Sequence, residues 1–134
     1  MKLYVPLLVT LLGLFSLSGC GGGDNDGKAV TSVKLDYHVI VNSLAGLVKI
    51  TYKDSAGQLV VEDGFAAKTV GDAWSKQYEI EGPVDALLKV ELAESSPPDP
   101  VGVEFYIALD GTRVQKATKF ITKAKGMTLK VNRP

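Results

Sequence analysis

From Val33 onward the chain alternates apolar and polar positions with a period of two, the signature of half-buried β-strands. Val33, Leu35, Tyr37, Val39 and Val41 share one side, and Lys34, Asp36, His38, Ile40 and Asn42 the other. Val48, Ile50 and Tyr52 repeat the pattern against Lys49, Thr51 and Lys53, and Lys53 to Gln58 reads as a turn into a return strand over Leu59–Glu62. Trp74 to Ile80 follows, with Trp74, Tyr78 and Ile80 on one face. Val84, Ala86, Leu88, Val90 and Leu92 then alternate with mostly charged partners. Beyond the connection Glu94–Pro100, the run Val101, Val103, Phe105, Ile107 and Leu109 is the strongest strand signal. Asp110-Gly111 marks a two-residue hairpin, because a tight primed turn needs the positive φ that these residues tolerate. Val114 to Thr118 returns antiparallel, and Met127, Leu129 and Val131 close the pattern.

Seven or eight short strands with no helical period predict an all-β fold, an antiparallel β-sandwich of immunoglobulin-like size. Its core should centre on Trp74, Tyr37, Tyr52 and Phe105. The Pro-rich segment Ser95–Pro100 reads as a connection that proline keeps out of the ladder, with peptide binding as the alternative.

The first residues follow another pattern. Lys2 precedes an apolar run, Leu3 to Phe15, broken only by Thr10 and Gly13, and small residues then lead to Leu17-Ser18-Gly19-Cys20. This is the layout of a secretory signal peptide, and the apolar stretch is short for a bilayer span. Leu17-Ser18-Gly19-Cys20 resembles the lipobox of bacterial lipoproteins. The resemblance implies that the Cys20 thiol takes a diacylglyceryl group, that the leader is cut just before Cys20, and that the freed amino group is open to acylation. Long acyl chains contribute about 0.8 kcal/mol per buried methylene, so two or three of them form a lasting anchor. Two other readings stay open: cleavage after Ser18 by an ordinary signal peptidase, leaving a free thiol, and retention of residues 3–19 as a membrane helix. The expected organisation is a leader over 1–19, an acylated cysteine and tether over 20–32, and the β-sandwich domain over 33–134.

Cys20 is the only cysteine, so the domain holds together without an intramolecular disulfide, which its size permits. Residues 21–28 are Gly-rich coil with a reach of roughly 16 Å, which keeps the domain near its membrane. Asp24-Asn25-Asp26-Gly27 superficially resembles a calcium loop but lacks the alternating ligands and the distal bidentate glutamate, so it reads as linker. Gly21, rather than an aspartate, follows the cysteine. An aspartate there would resemble an inner-membrane retention signal, so the expected location is the cell envelope, with the outer membrane favoured over the inner one in a diderm organism.

Candidate chemistry is sparse. His38 is the only histidine; it falls on the polar side of its strand, with no second histidine or cysteine to complete a zinc or copper site. Glu79, Glu81, Asp85 and Glu91 occupy outward positions, and no Gly-rich loop opens a helix to cradle phosphate. No catalytic residue, metal site or cofactor is therefore expected, and the formal net charge of zero gives no reason to expect nucleic acid. Charge is nonetheless uneven. Eight acidic residues stand against Lys89 alone between Glu79 and Asp110, whereas Arg113, Lys116, Lys119, Lys123, Lys125, Lys130 and Arg133 are the only charges that follow. The economical reading is cross-strand ion pairs over the Asp110-Gly111 hairpin. The functional alternative is a basic edge facing anionic lipid or an acidic partner.

Three segments together resemble the soluble domain of the MmpS family, accessory proteins of mycobacterial lipid and siderophore exporters. They are Ile50-Thr51-Tyr52-Lys53-Asp54 with Gly57, Ala73-Trp74-Ser75-Lys76-Gln77-Tyr78, and Phe105-Tyr106-Ile107-Ala108-Leu109-Asp110-Gly111. The resemblance spans roughly residues 35–131. It implies a β-sandwich outside the cytoplasm, without catalysis, beside a membrane transporter. This chain differs in carrying a lipobox where the family has a transmembrane helix, and in having no cysteine in its domain. The expected function is thus a lipid-anchored, non-catalytic interaction module whose partners are membrane lipid through Cys20 and a transporter or other envelope protein. The alternative is a lipoprotein that binds a glycan, lipid or peptide through Tyr106 and the loops around Pro97.

Overall fold

Eight strands form where the alternation places them: β1 (Ser32–Val41), β2 (Leu47–Lys53), β3 (Leu59–Ala66), β4 (Asp72–Glu81), β5 (Val84–Leu92), β6 (Val101–Leu109), β7 (Thr112–Ile121) and β8 (Met127–Arg133). The structure is a computed structural model that describes residues 31–134; the leader, Cys20 and the Asp24–Gly27 stretch lie outside the described residues. Two four-stranded sheets, ordered β4-β1-β6-β7 and β3-β2-β5-β8, pair antiparallel throughout. The described residues form an all-β fold, an antiparallel β-sandwich.

The inward set is the one the period of two picks out. Leu35, Tyr37, Val39 and Val41 of β1, Val48, Ile50 and Tyr52 of β2, alternate residues of β5, and Val101, Val103, Phe105 and Ile107 of β6 are all buried. Full burial of such a side chain contributes about 1.5–3 kcal/mol, so the four central strands carry most of the stability. Of the four residues expected at the centre, Tyr37 and Phe105 are fully buried and Tyr52 nearly so, while Trp74 keeps 7 % exposure near one side of the sandwich. The aromatic contacts join Tyr37, Tyr52, Trp74 and Tyr78, whereas Phe105 sits opposite Val39 in the ladder.

Two strands run further than their apolar residues suggest. β3 continues to Ala66 past a bulge opposite Val48 and Lys49, and β7 continues to Ile121. Both are edge strands, held by backbone pairing to one neighbour, so neither needs a regular apolar face. The hairpin between β6 and β7 turns on Asp110 and Gly111, both at positive φ, 49° and 80°. Asp110 also binds the start of β1: its N–H donates to the Lys34 carbonyl at 2.8 Å, and its carboxylate accepts from the Lys34 N–H at 2.9 Å. Ser96 pins the Pro-rich connection, its hydroxyl accepting from Leu47 N–H and donating to the Pro98 carbonyl, both at 3.1 Å.

Only β2–β3 and β6–β7 are hairpins within one sheet; every other connection crosses between sheets. The consequence is that β7 and β8 become edge strands on the same side of the sandwich, where they touch each other. β3 and β4 are the edges of the other side. Every described strand and the described core lie between Ser32 and Arg133, so residues 31–134 carry a hydrophobic core of their own, the physical requirement for folding alone.

Candidate functional site

The β3/β4 side is closed by a polar seam. Buried Tyr and Trp bring an O–H or N–H that needs an acceptor, and Glu62 supplies it to both: Trp74 Nε1 donates to Oε2 at 2.8 Å and Tyr52 Oη to Oε1 at 3.0 Å. Lys76 Nζ completes the group at 3.1 Å from Oε1. Burial pushes the Glu62 carboxyl up, but donation from Trp74, Lys76 and Tyr52 outweighs it and holds the group below its ordinary range. Burial pushes the Tyr37 hydroxyl up to about 12 and raises Tyr52 as well, helped by its bonds to Tyr78 and Glu62. The seam explains two charged residues that alternation alone does not. Glu62 shares the inward parity of Val60, and Lys76 that of Trp74 and Tyr78, and they satisfy one another between two facing edges. Below them Tyr37 Oη donates to the Lys53 carbonyl at 2.9 Å.

The outer face of the first sheet carries a stacked row. His38 of β1 stands beside Tyr106 of β6 in register, with ring centroids 4.5 Å apart and planes 17° from parallel. Arg113 lies 4.0 Å from the Tyr106 ring. It comes from β7, on the other side of β6 from β1, so both faces of that ring are covered. His38 is therefore a half-buried stacking residue rather than a freely solvated one. Tyr106 presents its edge, not its face, to an incoming ligand. The segment around Pro97 is at the end of the sandwich where β6 begins, five residues and roughly 17 Å from Tyr106 along the strand, so the two do not form one site. Asp36, buried on the same face, accepts from Gln77 Nε2.

The third surface is the β7/β8 side. Cross-strand pairing is the economical expectation for its bases, and it holds for Arg113 alone. β6 offers one carboxylate, Glu104, which meets Arg113 at 3.6 Å; the other acids of the Glu79–Asp110 stretch lie on β4, β5 and loops. Asp85 pairs with Lys53 of β2, and Glu91 with Lys89 on its own strand. Among the described residues Lys116, Lys119, Lys123, Lys125, Lys130 and Arg133 make no ion pair. In their midst Phe120 is 77 % exposed, its ring beside Gly102 on the outer face. A tight turn between Thr122 and Lys125, bonded in both directions at 3.1 and 3.2 Å, presents Lys123 at its tip.

The outward carboxylates Glu79, Glu81 and Asp85 are exposed, and Glu91 half-buried. Among the described residues no group of His, Cys, Asp and Glu is arranged to hold a metal, and no helix is long and apolar enough to cross a membrane. The surface depressions are open, such as the one lined by Lys49, Asp63, Glu91, Ser95, Thr122 and Lys123. No protein-family model matches the chain, and no curated protein matches it either.

Proposed function

We propose that the protein is a lipid-anchored, non-catalytic interaction module of the bacterial cell envelope, serving as an accessory subunit of a transport or assembly complex. The observation that carries this reading is the spacing of Leu17-Ser18-Gly19-Cys20 at the end of an apolar leader, followed at once by a glycine tract. The fold supports it from the other end. The sandwich closes its own seam with Trp74, Tyr52, Glu62 and Lys76 and leaves broad outer faces available to a partner. The resemblance of the Ile50, Trp74 and Phe105 segments to the MmpS domain supplies the transport context. Under this reading Cys20 fixes the address, the glycine tract sets the reach, and the domain supplies recognition within a few nanometres of the bilayer.

Intact-mass analysis of the protein extracted from membranes tests the anchor. The expected species begins at Cys20 and carries a diacylglyceryl thioether, and Cys20→Ser should accumulate with its leader attached. A chain beginning at Gly19 with a free thiol, or one retaining residues 1–19 in the wild type, would refute the anchor. Crosslinking in whole cells tests the partnership: one defined membrane protein should be recovered, and monomer alone across growth conditions would contradict it.

A further inference from the structure

The fold turns an asymmetry of sequence into an asymmetry of shape. The last charges of the chain, all basic, would be scattered if β7 and β8 were central strands. Instead both are edges, both lie on one side, and the turn over residues 122–126 joins them. The wall runs the length of β7, roughly 33 Å for ten residues. Arg113 stands near one end, Lys116 and Lys119 along it, and Lys123 and Lys125 at the other. Phe120 is the most exposed of its large apolar side chains, and Val114 is exposed on the same strand.

We propose that the β7/β8 wall is a docking surface for an anionic lipid bilayer, with Phe120 entering the headgroup layer and the surrounding lysines facing lipid phosphates. Charge complementarity selects the occupant. The bases are distributed along β7, its turn and β8, with Lys119 and Lys125 beside Phe120, and five of the seven are lysines. Lysine is a mobile point charge suited to a diffuse field of phosphates, whereas specific protein carboxylates favour the rigid fork of arginine. A lone protruding aromatic among lysines buries its ring at the level of the headgroups, where an amphipathic surface is most favourably placed.

The posture agrees with the topology. With β7 down, the start of β1 lies two strands away, roughly 10 Å above the surface. That is within the roughly 16 Å reach of the glycine tether. This posture, though not the binding itself, rests on the anchor proposed at Cys20. The opposite wall, bearing Glu62, Asp63, Asp72, Glu79 and Glu81 against Lys68 and Lys76, then faces away from the anionic surface.

Sedimentation with vesicles tests the proposal on residues 31–134, a fragment with its own core and no lipidation site. It should co-sediment with phosphatidylcholine vesicles doped with phosphatidylglycerol, not with phosphatidylcholine alone, and should be released by high salt. Lys123→Glu with Lys125→Glu should lower the partition coefficient by about tenfold or more. Phe120→Ala should lower it about fivefold. Both variants should keep the parent's urea midpoint. Equal binding to neutral and anionic vesicles, no binding to either at low salt, or indifference to the double reversal would overturn the proposal. So would binding to an acidic polypeptide in preference to vesicles, which would give the wall a protein partner. Since the fragment lacks Cys20, its failure would leave the lipid anchor standing, and loss of the anchor would leave this result standing.

Discussion

The two side walls of the sandwich solve the same problem in opposite ways. Each must finish a core where a sheet ends and side chains meet water. At β3/β4 the solution is internal: Trp74 and Tyr52 bond Glu62, and Lys76 pairs with it. At β7/β8 the core is closed by Leu129 and Ile121, and of the charged residues outside them only Arg113 is paired, with Glu104. The lesson is that exposure and charge carry different meanings on the two walls. On the first, Glu62 and Lys76 are part of the fold; on the second, Arg113 alone makes an ion pair among the described residues.

Mutations can break that contrast or sharpen it. The largest effect should come from Trp74→Ala, which removes a packed indole and orphans a Glu62 oxygen. A loss of about 3–5 kcal/mol in urea unfolding is expected, whereas Phe120→Ala, of similar chemistry on the other wall, should stay within about 0.5 kcal/mol. Comparable losses for both would erase the distinction.

Gly126→Ala comes next. It sits on the basic wall yet belongs to the fold, because an added Cβ would lie 2.8 Å from the Val90 carbonyl and 2.6 Å from Glu91 Cγ. A destabilisation of about 1–3 kcal/mol should appear in thermal or urea melts. Lys123→Glu and Lys125→Glu, on either side of the same turn, should leave those melts within about 0.5 kcal/mol.

Glu62→Gln should cost about 1 kcal/mol at neutral pH, the modest value set by a carboxylate one-third open to solvent. Its pH dependence carries the sign. The folded-state carboxyl titrates below its ordinary 4.5, so its contribution is present above that value and is lost as pH falls through the folded-state value. The gap between wild type and Glu62→Gln should therefore close on acidification. A gap that widened in acid would contradict the charged seam. At the alkaline end, Tyr37 is raised to about 12. Its contribution is complete below pH 10 and disappears as pH rises toward 12, so Tyr37→Phe should flatten the alkaline part of the stability profile.

Much of this was legible in the chain. The period of two placed the limits of β5 and β6 and the inward residues of β1 and β2, because those strands are buried on one face and alternation is enforced by the core. Asp110-Gly111 was legible because a primed turn admits few residues. The edges were harder. Glu62 and Lys76 occupy inward positions that look like errors of alternation until β3 and β4 are seen to face one another, and that is a long-range fact of topology. The basic segment was visible as composition, but its neighbours were not. A hairpin beside an acidic stretch suggested ion pairs, and only the register shows that β6 brings Glu104 alone. His38 likewise reads as solvated until Tyr106 is placed beside it.

Tryptophan fluorescence on vesicles tests the two-wall contrast most directly. Trp74 is the protein's only tryptophan and lies in the β3/β4 seam, so bromolipids in anionic vesicles should leave wild-type emission unquenched. Phe120→Trp should add a component that shifts to the blue on binding and is quenched by the same lipids. Quenching of Trp74 in the wild type, or an unquenched signal from Phe120→Trp on vesicles that bind the protein, would contradict the assignment of folding to one wall and membrane contact to the other.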